Sequence, residues 1–372
     1  MTGVKEKRKV LFCVQLPPPV HGTSVMNQFL TQSRLLQDSF VLRVLPLQFN
    51  RSLKKIRTVS LKKMAIALVY AFRLVREMMQ FAPDLVYYTL APHGAAFYRD
   101  VMYTCIIKMF NKKILFHLHG EGIFGKARKN RLGRKLYQFV FHKNTPICLS
   151  ESSSRDIREV FPGKPHIVHN GIPQTVSEGM LLDKKKRRKT RILFLSNLKP
   201  DKGIREFLQS LVLLKQKTLD FEAVIIGGET RQISFEDIRR FVSDAGLADR
   251  IEVKGPLYGQ AKFRELIRSD ILVLPTRNDN FPCVVLEAME SRLAVISSNR
   301  ASIPEIIDHG RTGFIVEPGD ISAIADHLQY FIFHPEEISR MGWEGRKKFL
   351  NHYTIEIFER NMKNLFSREL RE

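Results

Sequence analysis

The chain has 372 residues, 44% of them hydrophobic and 26% charged, which is the composition of an ordinary globular protein with room for two or three domains. Its formal net charge is +22, a field that attracts nucleic acid, a phosphorylated substrate or an anionic lipid surface. No uncharged apolar stretch reaches the roughly 20 residues of a membrane span, and the scattered Cys13, Cys105, Cys148 and Cys283 form no CxxC pair, so neither a zinc site nor a disulfide framework is expected.

The N-terminal "MTGVKEKRKVLFCVQLPPP" is basic and then apolar, as a signal peptide is. The apolar part is short, prolines interrupt it and no small-residue cleavage site follows, so it reads as a polar lead into a buried strand. A Pro-Gly loop, "PPPVHG", and a helix from about Thr23 come next. "SFVLRVLPL" predicts a second strand. "SLKKMAIALVYAFRLVREMMQF" predicts a long amphipathic helix whose apolar run at 64–72 belongs to the core, with its basic residues solvated. Strands follow at "DLVYYTL", "KKILFHLH", "TPICLS" and "HIVHN". The charged run at 183–189 reads as a linker, and the alternation then restarts through "RILFLSNL", "FEAVIIGG", "RIEVKGPL", "DILVLPT", "LAVISSN" and "TGFIVEP". Strands alternating with helices imply parallel sheets covered on both faces.

The expected organisation is α/β and doubly wound. An N-terminal domain spans 1–175, a basic linker 176–190 and a second domain 191–350. A C-terminal helix at 351–372 packs back on the first domain. Two such domains facing each other would hold ligands at the carboxyl ends of their strands.

Four stretches carry candidate chemistry. In "LSNLKPDKGIREF" a strand ends and Lys202 stands beside the start of a helix. An ammonium there, with free amides and the helix dipole, favours phosphate; the alternative is a solvated lysine. In "PTRNDNFPCVVLEAME" a helix is expected from about Phe281 or Pro282. Asp279 either caps that helix or faces a ligand. Glu287 falls on an apolar face and needs a partner, which a sugar hydroxyl pair or a salt bridge would supply. "PPPVHG" ends on His21 and Gly22, and "FHLHGEG" puts His119 at a strand end, where a satisfied structural histidine is the alternative reading.

Taken together, Gly22, His119, Asn170-Gly171, Lys202-Gly203, Gly227-Gly228, Lys254-Gly255 and the stretch from Asp279 to Ala288, with the tail "SIPEIIDHGRTGFIVEPGD", make the chain resemble the retaining nucleotide-sugar glycosyltransferases of family 4. The resemblance implies the GT-B fold of two Rossmann-like domains facing across a cleft. It implies Lys202, Asp279 and His119 as catalytic residues. It implies donor contacts from Gly22, Asn197, Gly203, Asn280, Phe281, Pro282, Cys283, Glu287, Lys254 and Leu257. Glu287 would bind the ribose hydroxyls, Asp279 the sugar, and the segment around Lys254 to Leu257 the base. The family usually has a glutamate where Asp279 stands and Gly-Arg where Ser196-Asn197 stands, so one positive charge on the diphosphate is missing and Lys202 carries more of it. No cofactor and no metal are expected, the nucleotide-sugar being a substrate.

The acceptor side rests on charge. Residues 1–180 hold 28 Lys and Arg against 10 Asp and Glu, a net +18, while residues 191–372 are near neutral. Basic residues beside apolar ones, in "RSLKKIRTVSLKK" and "KARKNRLGRKLYQFVFHK", suit an anionic bilayer. The expected partners are therefore a nucleotide-sugar donor, a glycan or glycolipid acceptor and the cytoplasmic face of a membrane, with surface polysaccharide assembly as the setting. Nucleic acid is not expected, since no helix-turn-helix, zinc spacing or RNP-like strand is present. The alternatives are a GT-B-like sugar-nucleotide epimerase, a polyanion-binding protein, or a non-catalytic sugar-nucleotide binder.

Overall fold

The computed structural model describes residues 6–49, 61–182 and 189–371. The chain divides into two compact units, Met1–Asn170 with Ile355–Glu372, and Gly171–Thr354.

The first unit is built on β1 (Lys9–Val14), β2 (Val41–Pro46), β3 (Leu85–Thr89), β4 (Lys113–Leu118), β5 (Thr145–Cys148) and β6 (His166–Ile167). They form one sheet in the order β2-β1-β3-β4-β5-β6, with every pair parallel. The runs KVLFCV and KILFHL are apolar nearly throughout because both faces of such a sheet are covered. Leu11, Val86, Tyr88, Ile114 and Phe116 point into a core shared with Leu74, Met78, Tyr103 and Phe141 of the flanking helices. Their alternates, Phe12 and Tyr87, face the other way and meet Phe366 of the C-terminal helix Ile355–Glu369 at ring-centroid distances of 5.8 Å each.

The second unit is built on β7 (Thr190–Leu195), β8 (Phe221–Ile226), β9 (Ile251–Lys254), β10 (Ile271–Leu274), β11 (Ala294–Ser298) and β12 (Gly313–Val316). The order is β12-β11-β10-β7-β8-β9, again all parallel. Phe194, Ile225, Val273 and Ile296 bury against Phe207 and Leu211 of the helix Ile204–Lys215 and against Leu328 and Phe331 of the helix Ile321–Phe333. Each such side chain contributes roughly 1.5–3 kcal/mol on burial. The chain runs outward from β7 to β9 and then returns to lay down β10 on the other side. That reversal makes a switch point between β7 and β10, and the loops after these two strands diverge there, where doubly wound sheets bind ligands.

Three expectations shift. The first boundary falls at 170/171 instead of 175/176, and the last at 354/355 instead of 350/351. Residues expected in a linker are tied into the second unit. Glu290 accepts from the Thr175 and Val176 amides, and Glu178 binds Arg292 and Arg346. The rest of that linker, 183–188, lies outside the described residues, as does most of the basic stretch before the long helix, 50–60. The third shift concerns the apolar run at 64–72. In the helix Leu61–Gln80 the buried residues are Tyr70, Leu74 and Met78, whereas Met64, Leu68, Val69 and Phe72 are exposed. The period of 3.6 selects one packed face, and a helix apolar on both sides leaves the second uncovered.

Candidate functional site

The loop after β7 descends through one 3-10 turn, Pro200–Lys202, to Gly203, whose φ of +81° opens the helix Ile204–Lys215. A Cβ on Gly203 would stand 2.2 Å from the Pro275 carbonyl oxygen, so the loop after β10 passes too close for any side chain. Gly227 is required in the same way, since its Cβ would meet the Ser196 carbonyl at 1.8 Å. The two loops are then laced together. The Arg277 amide and the Thr276 hydroxyl donate to the Asp201 carbonyl at 2.8 and 3.1 Å, and the Arg277 guanidinium reaches Glu206 at 2.7 Å.

Lys202 and Asp279 meet across this seam. The Lys202 Nζ lies 2.7 Å from Asp279 Oδ2 and 3.0 Å from the Asn278 carbonyl oxygen. An ammonium has three donors, so one remains for a phosphate oxygen. The helix after β10 begins at Cys283 with Pro282 as its N-cap and no side-chain cap. Asp279 is therefore not a helix cap, and the capping alternative is set aside. Pro at the cap and Phe281 packed edge-on against Tyr353 fix how this turn enters the helix. Both amide atoms of Asn280 are buried with no partner among the described residues. A buried amide left so costs free energy unless a hydroxyl or water pairs with it.

Glu287 lies one helical turn in from Cys283. Burial pushes its carboxyl above the usual range, and the Lys262 ammonium, 2.6 Å from Oε1, pulls against that shift. Lys262, on the helix Gly259–Arg268, has no sequence signal pointing to it. It is 25 residues before Glu287, and its side chain reaches Glu287 from the helix that joins β9 to β10. Burial also pushes the Cys283 thiol up to about 12, with Glu287 and Asp279 adding to the effect. The thiol stays neutral and serves as a small apolar wall.

The remaining expected residues are placed as follows. Asn197 is exposed in the loop after β7, with its Oδ1 beside Gly228. Lys254, at the end of β9, sits between Glu265 at 2.8 Å and Glu252 at 3.2 Å. Its charge is matched within the protein, in a cluster that Arg191 joins through Glu265. Leu257 is half-buried in the loop after β9. In the first unit, Gly22 is the first residue of the helix Gly22–Gln32 and a Cβ there would meet nothing within 4 Å. His21 caps that helix, its Nδ1 accepting from the Ser24 amide. The His119 ring stands 4.1 Å from that of His117, and its Nε2 is buried without a partner among the described residues. Burial, with His21 nearby, pushes His119 down to about 3, so it stays uncharged near neutral pH.

Residues 183–348 match the family described as "Glycosyl transferases group 1". The matched residues fall almost wholly in the second unit, which is therefore similar to a group 1 glycosyl transferase domain. A capsular polysaccharide biosynthesis glycosyltransferase, CapM, from Staphylococcus aureus is 26% identical over 181 residues, 48% of this chain and 46% of that protein. The chain thus spans about half the length of the curated relatives it matches. Among solved structures, a glycosyltransferase from Rickettsia africae has a TM-score of 0.77 at 16% identity, covering 99% of this chain and 100% of that one. Anabaena HepE in complex with UDP has a TM-score of 0.75 at 14% identity, covering 97% of this chain and all of that one. These likenesses establish the fold, which is GT-B. In the second unit, the loops that meet at the switch point are those that carry Lys202 and Asp279.

Proposed function

We propose that the protein is a retaining glycosyltransferase of family 4 that moves a hexose from a nucleotide-sugar to a glycan or glycolipid acceptor at the cytoplasmic face of a membrane, in surface polysaccharide assembly. The observation that carries this is the Lys202–Asp279 contact at 2.7 Å, which joins the two loops flanking the β7/β10 switch point. A phosphate-seeking ammonium and a hydroxyl-seeking carboxylate then share one place, with the buried carboxylate of Glu287 on the helix that follows. That set matches the three parts of a nucleotide-sugar: diphosphate, hexose and ribose.

In this reading Glu287 accepts from the ribose hydroxyls and Asp279 from the hexose. Asn280, Phe281, Pro282 and Cys283 shape the turn whose amides face the donor, and Asn197 and Gly203 border the diphosphate. The bond from the anomeric carbon to the phosphate oxygen breaks, and its electron pair leaves with the nucleoside diphosphate. Lys202 and the amides at helix N-termini stabilise that growing charge. The acceptor oxygen attacks from the face the phosphate leaves, and its proton goes to the departing phosphate oxygen, so configuration is retained. The same charge stabilisation from Lys202 supports a reaction without a divalent cation or other cofactor. From the first unit, the reading carries over Gly22, with space for close approach, and neutral His119 as a hydroxyl partner. Lys254 and Leu257 remain the proposed border of the base.

The test is hydrolysis and thermal shift against a panel of UDP-, GDP- and ADP-sugars, with Lys202→Ala beside the parent. The parent responds to one nucleotide class and releases nucleoside diphosphate in the presence of EDTA. The variant turns over on the order of 100-fold or more slowly while keeping its melting temperature. An epimer released without acceptor, or near-parental turnover in the variant, overturns the reading.

A further inference from the structure

The helix Leu61–Gln80 packs through Tyr70, Leu74 and Met78. Roughly opposite them, Leu61, Met64, Leu68, Phe72 and Met79 form a second apolar stripe, each between 56% and 84% exposed. At about 100° per residue the five fall within an arc of roughly 80°. Lys62, Arg73 and Arg76 run along one edge of the stripe, and none of the exposed residues of this helix is acidic. A contiguous apolar patch with a polar rim on a folded surface marks something that covers it.

The geometry points to an anionic lipid bilayer as the occupant, with this helix lying in the headgroup region and its stripe sunk to the acyl boundary. The arrangement is that of an interfacial helix, apolar on one face with cations at the water line. No helix of the described residues is long and apolar enough to cross a membrane, so the contact is with one leaflet. Charge decides between a bilayer and a second copy of this chain. The stripe sits in a half of the sequence with a net +18, and a second copy would oppose Lys62, Arg73 and Arg76 with their own kind. An anionic leaflet attracts them, each cation adding about fivefold to binding. The inference rests on the membrane part of the proposed function and is independent of the transfer chemistry.

Flotation with vesicles of equal parts phosphatidylcholine and phosphatidylglycerol tests it. The parent floats with these vesicles and stays behind with phosphatidylcholine alone. Leu68→Ser with Phe72→Ser lowers the partition by about tenfold or more, with the thermal shift on donor nucleotide unchanged. That last readout separates failure of the docking surface from failure of the donor site. A second variant guards against loss of fold. The chain has a single tryptophan, Trp343, so Phe72→Trp with Trp343→Phe reports the stripe alone. Its emission shifts to the blue with the anionic vesicles, while Leu219→Trp in the same background, an exposed position in the second unit, shows no shift. Equal flotation of parent and double variant, an unchanged Phe72→Trp emission, or a dimer that the double variant dissolves, overturns it.

Discussion

Lys262 shows how one residue sets the state of another. A carboxylate as buried as Glu287 favours its protonated form, because desolvation penalises charge, and the Lys262 ammonium at 2.6 Å is what holds it toward the ionised form. Ribose hydroxyls donate to a carboxylate and gain less from a protonated acid. Lys262→Met is therefore expected to raise the donor KM by about tenfold or more, the loss of one charge-assisted hydrogen bond, with a smaller change in kcat. The sign with pH follows. Without the cation the Glu287 carboxyl rises further, so the acid limb of the kcat/KM profile moves to higher pH, and Lys262→Arg keeps it in place. An unshifted limb in the methionine variant would mean that Glu287 does not meet the donor as a carboxylate. Glu287's need for a partner was legible in the sequence, because a carboxylate on an apolar helical face cannot stand alone. The partner's identity was not, since sheet topology, and not local pattern, brings the helix of Lys262 beside it.

At the scale of elements, the strands were the legible part. KVLFCV, KILFHL and TRILFL are buried runs because helices cover both faces of a parallel sheet. The long helix at 61–80 was legible as a helix but not in its orientation, since apolar residues on two sides give two candidate core faces and only packing chooses. The C-terminal helix Ile355–Glu369 belongs to the first unit, and its attachments include Phe366 in the sheet core and Glu369 at its end. Glu369 accepts from Thr145 at 2.9 Å, pairs with Lys113 at 2.8 Å and meets His166 at 3.1 Å. Although burial opposes it, these partners hold the carboxyl down to about 2, against an ordinary 4.5. A depressed carboxyl stabilises the fold above its unfolded pKa and loses that contribution as pH falls toward its folded one. The contribution is at most about 3 kcal/mol at neutral pH. Glu369→Gln is expected to lower the urea midpoint at pH 7, and the gap to the parent should narrow as pH drops from about 5 to about 3. A gap that stays constant would show that packing around position 369, and not its charge, anchors the helix.

Across the whole molecule the charge is divided unevenly. Residues 1–180 carry +18 of the net +22, and residues 191–372 are near neutral. In the second unit the cations of the proposed donor site stand in matched pairs, Lys202 with Asp279, Lys262 with Glu287 and Lys254 with Glu265. The first unit instead keeps exposed cations beside an exposed apolar stripe. Two kinds of recognition then respond differently to salt. Attraction of a cationic surface to an anionic leaflet acts over the Debye length, about 10 Å at 0.1 M and about 4 Å at 0.5 M. Binding of a nucleotide by close hydrogen bonds in partly buried surroundings is screened much less. Raising salt from 0.1 to 0.5 M should lower vesicle partition by about tenfold or more, since several cations contribute. The thermal shift on donor nucleotide should move by far less. If donor binding weakened as steeply as vesicle binding, the basic field of the first unit would be serving the nucleotide, and the separation of tasks between the two halves would have to be abandoned. If vesicle binding were insensitive to salt, the stripe of Leu68 and Phe72 would carry the contact without help from Lys62, Arg73 and Arg76.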